Sequence, residues 1–107
     1  MFKKKDQLTD RPLVDGVRLG TMVHGEKTLM GRFSLAGGSV IPAHDHPHEQ
    51  TGLLLSGRIV LTIDGVEHEV APGDSWCIAS GVAHAAKAIE DSVAVEVFSP
   101  VREDYLD

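Results

Sequence analysis

Apolar and polar residues alternate along most of the chain with a period of two, the spacing of a strand and not of a helix. The run Arg58 to Val70 (RIVLTIDGVEHEV) is the clearest case. Asp64-Gly65 at its centre is a two-residue hairpin signal, which pairs Ile63 with Val66, Leu61 with His68 and Ile59 with Val70. One face of that hairpin is then almost wholly apolar, while Val60, Thr62, Glu67 and Glu69 fall on the other. Further alternating or β-branched runs lie at Gly16 to Val23, Leu29 to Ala36, Gln50 to Leu55, Ser75 to Ala79 and Ser92 to Phe98. The turn signals Gly37-Gly38, Ser56-Gly57, Pro72-Gly73-Asp74 and Ser80-Gly81 separate them. No window of helical length carries an apolar stripe, and only the tail Arg102 to Asp107 is expected to form a helical turn. Many short strands at near-regular spacing predict an all-β sandwich or small barrel.

Length and charge narrow the picture. A chain of 107 residues suits one domain, 1–107, with one core. Its 11 Gly and 5 Pro are spread along the sequence, so turns are frequent and linkers absent. A formal net charge of -6 opposes binding to nucleic acid or to an anionic membrane. The Lys3-Lys4-Lys5 run reads as a solvated terminus. The single cysteine, Cys77, excludes an intrachain disulfide, and no apolar run approaches the roughly 20 residues of a membrane span. MFKKKDQLTDRP lacks the apolar stretch of a signal peptide, so a soluble, cytoplasmic protein is expected.

Chemistry concentrates in IPAHDHPHEQ, Ile41 to Gln50. Side chains at i and i+2 of a strand share a face with their Cα atoms about 7 Å apart, so His44 and His46 can converge on one ion. His48 and Gln50 continue the same parity, but Pro47 lacks an N–H and breaks the ladder, which leaves open which of the two points inward. A further ligand should come from another strand, and His84 in SGVAHAA stands at the start of a later one.

The spacing Gly38, five residues, His44-x-His46, three residues, Gln50, six residues, Gly57 resembles the first motif of the cupin family. Gly73-Asp74 to Gly81-x-x-His84 resembles the second. The resemblance implies a cupin double-stranded β-helix, a jelly-roll-like small barrel. It implies His44, His46, Gln50 and His84 as ligands of a divalent transition metal (Zn, Ni, Fe, Mn or Cu). It also implies a homodimer, since cupins commonly cover their sheet edges by pairing. Gln50 stands where cupins usually carry glutamate, and Ala79 and Ala88 replace the second motif's usual proline and asparagine. Three imidazoles and an amide oxygen leave the full double charge on the ion, making a stronger Lewis acid that attracts small anionic molecules.

Other candidates receive structural expectations. His48 and Glu49 are expected at the strand edge as partners of the ligands, His68 as a satisfied inward histidine and His24 as exposed. Cys77, in SWCIA, is expected to be a buried small hydrophobe, with no basic neighbour to lower its pKa.

In the last strand Ala94, Glu96 and Phe98 share one face, with Val93, Val95 and Val97 on the other. A carboxylate and an aromatic ring can then line the same cavity. PHEQ together with Phe98-Ser-Pro-x-Arg102-Glu-Asp is similar to the pectin-degradation subgroup of small cupins, which linearise 4,5-unsaturated uronates to open-chain keto acids. That resemblance implies that Phe98 and Arg102 contact the substrate, and that Glu96 takes the place of a catalytic aspartate with a longer side chain. The fold also hosts metal-dependent dioxygenases and non-catalytic ligand-binding cupins, which stand as the alternatives.

Overall fold

The computed structural model describes residues 1–107. It contains ten strands and two single turns of 3-10 helix, Lys5–Gln7 and Glu103–Tyr105. No helix is long and apolar enough to cross a membrane. In chain order the strands are β1 (Asp10–Val14), β2 (Val17–His24), β3 (Leu29–Leu35), β4 (Val40–His44), β5 (Glu49–Ser56), β6 (Ile59–Ile63), β7 (Val66–Val70), β8 (Ser75–Ile78), β9 (His84–Ala88) and β10 (Ser92–Ser99). They form two antiparallel sheets, one ordered β1-β2-β3-β10-β5-β8 and the other β4-β9-β6-β7.

Alternation explains the packing between the sheets. In β3 the odd positions Leu29, Gly31, Phe33 and Leu35 are buried, and Met30, Arg32 and Ser34 point out. Ile59, Leu61 and Val70 meet them from the smaller sheet, closing one core with Leu19, Leu54 and Phe98. The β6–β7 hairpin has the register expected from its sequence. Asp64 and Gly65 take φ 51° and 78°, the left-handed pair that a two-residue turn matching strand twist requires.

Three expectations fail on this frame. His68 pairs with Leu61 as the hairpin demands, yet it is exposed. The reason is that β7 is the outermost strand of its sheet, and an open groove lined by Ile63, Val70, Ser75 and Trp76 separates it from β8. Cys77 is exposed as well. Trp76 and Ile78 take the inward positions of β8, so the intervening thiol falls on the exposed outer face of an edge strand, 4.0 Å from Glu49 Oε1. His24, expected in the open, is half-buried at the end of β2.

Alternation alone did not single out β1. It is short, contains Pro12 and lies at the sheet edge, where the missing N–H costs no ladder bond. The outer face of the larger sheet carries exposed Leu53 and Leu55 beside Val93, Val95 and Val97, an apolar surface that the fold itself leaves open.

Candidate metal centre and adjoining cavity

Three histidines converge where the smaller sheet meets the β4–β5 turn. His44 ends β4 and lies directly opposite His84, the first residue of β9. His46 sits beyond the strand, in the turn leading to β5, so only half of the His-x-His pair uses strand geometry. The ring centroids of His44 and His84 are 4.3 Å apart, those of His46 and His84 4.8 Å, and those of His44 and His46 5.7 Å.

Backbone carbonyls set the tautomers. Nδ1 of His44 lies 2.8 Å from the Pro42 carbonyl, Nδ1 of His46 2.9 Å from that of His48, and Nδ1 of His84 2.9 Å from that of Val82. A carbonyl only accepts, so each Nδ1 carries the proton and each Nε2 offers a lone pair. The three residues have ligand nitrogens within 4.8 Å of one another, and His84 Nε2 is buried with no hydrogen-bond partner. Burial lowers His84 and His46 below the ordinary 6.5, against the pull of their carbonyl partners, which keeps both imidazoles neutral and ready to ligate.

Gln50 completes the arrangement from β5. Its Nε2 donates to Glu96 Oε1 at 2.5 Å, and this turns Oε1 toward His46 Nε2, 2.9 Å away. With the His46 proton on Nδ1, two lone pairs face each other across that gap. A shared cation removes the repulsion, so the donor set suits a divalent transition metal held by imidazole nitrogens and an amide oxygen.

Glu96 points inward from β10, as the alternation of Ala94, Glu96 and Phe98 predicts. Its Oε1 accepts a second bond, from Trp76 Nε1 at 2.9 Å. Burial raises the carboxyl above the usual glutamate value, while the Gln50 and Trp76 hydrogen bonds and the charges of His44 and Arg102 work to bring it down. The same cavity is lined by His44, His84, Gln50, Glu96, Arg102 and an apolar wall that includes Phe33, Ile41, Leu61 and Phe98.

Arg102 closes one side. Its Cζ lies 4.0 Å from the centroid of Tyr105 and 5.2 Å from that of Phe98. Phe98 is itself buried, packed edge-on to His46 at 5.9 Å and to Tyr105 at 5.4 Å. The fold therefore brings His44, His46, Gln50, His84, Glu96, Phe98 and Arg102 around one space. His48 contributes its carbonyl to His46, and Glu49 is exposed at the start of β5.

Sequence reasoning missed Trp76 and Tyr105. Trp76 shares the inward parity of Ile78, and it lies across the ladder from Gly52, where any Cβ would collide with the indole. That glycine opposite a tryptophan was the available signal. Tyr105 had none, because its position depends on a tail that folds back onto β2, where Thr21 Oγ1 donates to the Tyr105 carbonyl.

Comparison with known proteins gives this geometry its class. The Cupin domain family matches residues 31–100, and the chain belongs to the cupin family. Among individual relatives, the pectin degradation protein KdgF of Dickeya dadantii (strain 3937) is 25% identical over 103 residues, which covers 94% of each chain. The solved structure of KdgF from Halomonas sp. superposes with a TM-score of 0.94 at 25% identity, covering 99% of this chain and 98% of that one. An RmlC-like cupin from Shewanella frigidimarina shares the fold, with a TM-score of 0.94 at 23% identity over 98% of this chain and 95% of its own.

Proposed function

We propose that this cupin opens the ring of 4,5-unsaturated uronates and promotes their tautomerisation to open-chain keto acids. The observation that carries the reading is the placement of the inward carboxyl of Glu96, raised by burial, beside a group of three converging histidines in a cavity that also holds Arg102. Similarity over nearly the whole chain to the pectin degradation protein KdgF of Dickeya dadantii and to the solved KdgF of Halomonas sp. supports it.

On this reading His44, His46, Gln50 and His84 hold a divalent transition metal. When bound, such an ion supplies Lewis acidity toward the sugar's oxygens. Arg102 binds the substrate carboxylate through paired N–H donors, and Phe98 forms the wall against which the sugar packs. Glu96, ionised, takes the proton of the anomeric hydroxyl as the bond between the anomeric carbon and the ring oxygen breaks, leaving an aldehyde and an enolate. The protonated acid then returns that proton to C4 as the enolate becomes a ketone, so the reaction is an isomerisation with no net gain or loss of atoms. A carboxyl raised toward neutrality suits both halves of that transfer. The protein is taken to work in the cytoplasm as a homodimer.

The kinetic split between two variants tests the assignment. Arg102→Ala should mainly raise KM, and Glu96→Gln should mainly lower kcat, by roughly 10² to 10⁴ fold. Unchanged kcat in Glu96→Gln would remove the proton carrier from the scheme.

A further inference from the structure

Arg102 is the only lysine or arginine lining the cavity, and its guanidinium is already half engaged. Nε donates to Asp104 Oδ1 at 3.2 Å and Nη2 to Asp104 Oδ2 at 2.8 Å, a two-point grip on one edge of the planar group. A guanidinium has five N–H donors, so this grip leaves both hydrogens of Nη1 and the second of Nη2. The guanidinium makes no other hydrogen bond within the chain, although the side chain is only 13% exposed. The unspent donors form the tip of the fork, the edge suited to a second carboxylate.

We propose that Asp104 is a positioning residue: it holds Arg102 by one edge and so presents the Nη1–Nη2 edge to the carboxylate of a bound sugar acid. This rests on the uronate reading of the site and adds a role for Asp104 that the resemblance does not supply.

Three features make Asp104 a fixed point despite an exposed side chain. Its backbone carbonyl accepts from Arg11 Nη2 at 2.8 Å, and the Leu106 carbonyl accepts from Arg11 Nη1 at 3.3 Å. The Tyr105 carbonyl between them accepts from Thr21 Oγ1. The tail is thereby tied to β1 and β2, and the Arg102 Cζ lies over the Tyr105 ring. Although burial works to raise the Asp104 carboxyl, the hydrogen bonds and charge of Arg102 prevail and lower it, so the grip persists at neutral pH. A long side chain fixed before binding loses less rotamer freedom when the ligand arrives, which appears as tighter ground-state binding.

The proposal has a sign that charge alone would reverse. An aspartate acting only as a nearby negative charge repels an anionic substrate, so its removal would lower KM. A positioning aspartate raises KM when removed. For Asp104→Ala we expect KM for 4,5-unsaturated galacturonate to rise about 5- to 20-fold with kcat within about twofold of wild type, and a smaller rise for Asp104→Asn. KM for the neutral methyl ester of the same sugar should not change. A KM for the acid that is unchanged or lower in both variants overturns the proposal, as does an equal rise for acid and ester. Calorimetric binding of galacturonate, the saturated acid, repeats the comparison without turnover. Weaker binding by Asp104→Ala than by wild type supports the positioning role even where the uronate reaction itself fails. Equal or tighter binding, or none by wild type, overturns it. Asp104→Asn, close in shape, serves where the alanine variant is unfolded.

Discussion

Trp76→Phe isolates one hydrogen bond to the proposed proton carrier. Phenylalanine keeps an aromatic ring over Gly52 and removes the Nε1 donor, leaving Glu96 Oε1 with Gln50 as its only partner. A hydrogen bond to a charged group contributes about 1.5 to 3 kcal/mol in a protein interior. One pKa unit corresponds to about 1.4 kcal/mol, so loss of the Trp76 donor should raise Glu96 by about one to two units. The sign follows from which form the bond favours. The indole N–H stabilises the carboxylate, and its removal favours the neutral acid. If ionised Glu96 accepts the substrate proton, the rising limb of the kcat–pH profile should move to higher pH by a similar amount. The plateau above the limb should change much less. Thermal melting would measure the accompanying packing loss separately. A limb that stays in place, or moves to lower pH, would refute the assignment of that limb to Glu96.

His44→Ala and His84→Ala should each strip the purified protein of most of its bound transition metal, as read by elemental analysis; full occupancy in both would end the metal-ligand assignment. The metal-free protein should also show a histidine signature in its pH dependence. His46 and His84 both lie below 6.5 in the folded chain, so the unfolded chain takes up protons first as pH falls. Their contribution is complete above about 6.5 and is lost as pH drops below it. Glu96 acts in the opposite sense, because its raised carboxyl adds stability at low pH that is lost as pH rises. The melting temperature is therefore best followed in a Glu96→Gln background, where it should fall from pH 7.5 to pH 5.5, and a rise would contradict the burial of His46 and His84 as neutral imidazoles. Light scattering should give the mass of a dimer at micromolar concentration, since Leu53, Leu55 and the β10 valines leave an apolar outer face for a second copy; a monomer would refute this.

The parts of the fold that were legible in the sequence share a local cause. Asp64-Gly65 determines its hairpin register through backbone conformation alone, and every pairing from Ile59–Val70 to Ile63–Val66 follows. The inward row Ala94, Glu96, Phe98 likewise needs nothing beyond strand alternation. Cys77 and His68 depend instead on what covers a strand, which alternation does not encode: both lie on edge strands, His68 where the opposite sheet does not reach and Cys77 on an outer face that no further layer covers. The His44, His46 and His84 cluster was visible through its spacing, although His46 reaches it from a turn. Trp76 and Tyr105 were missed because their roles come from distant segments, β8 against β10 and the tail against β2.

The central claim meets its most direct test in the enol-ether absorbance of 4,5-unsaturated galacturonate, followed with metal-loaded wild type, metal-stripped wild type and buffer alone. The account predicts rapid decay with the loaded protein, an open-chain keto acid as product, and a rate near the spontaneous one after stripping. Decay at the spontaneous rate with fully loaded protein would contradict it.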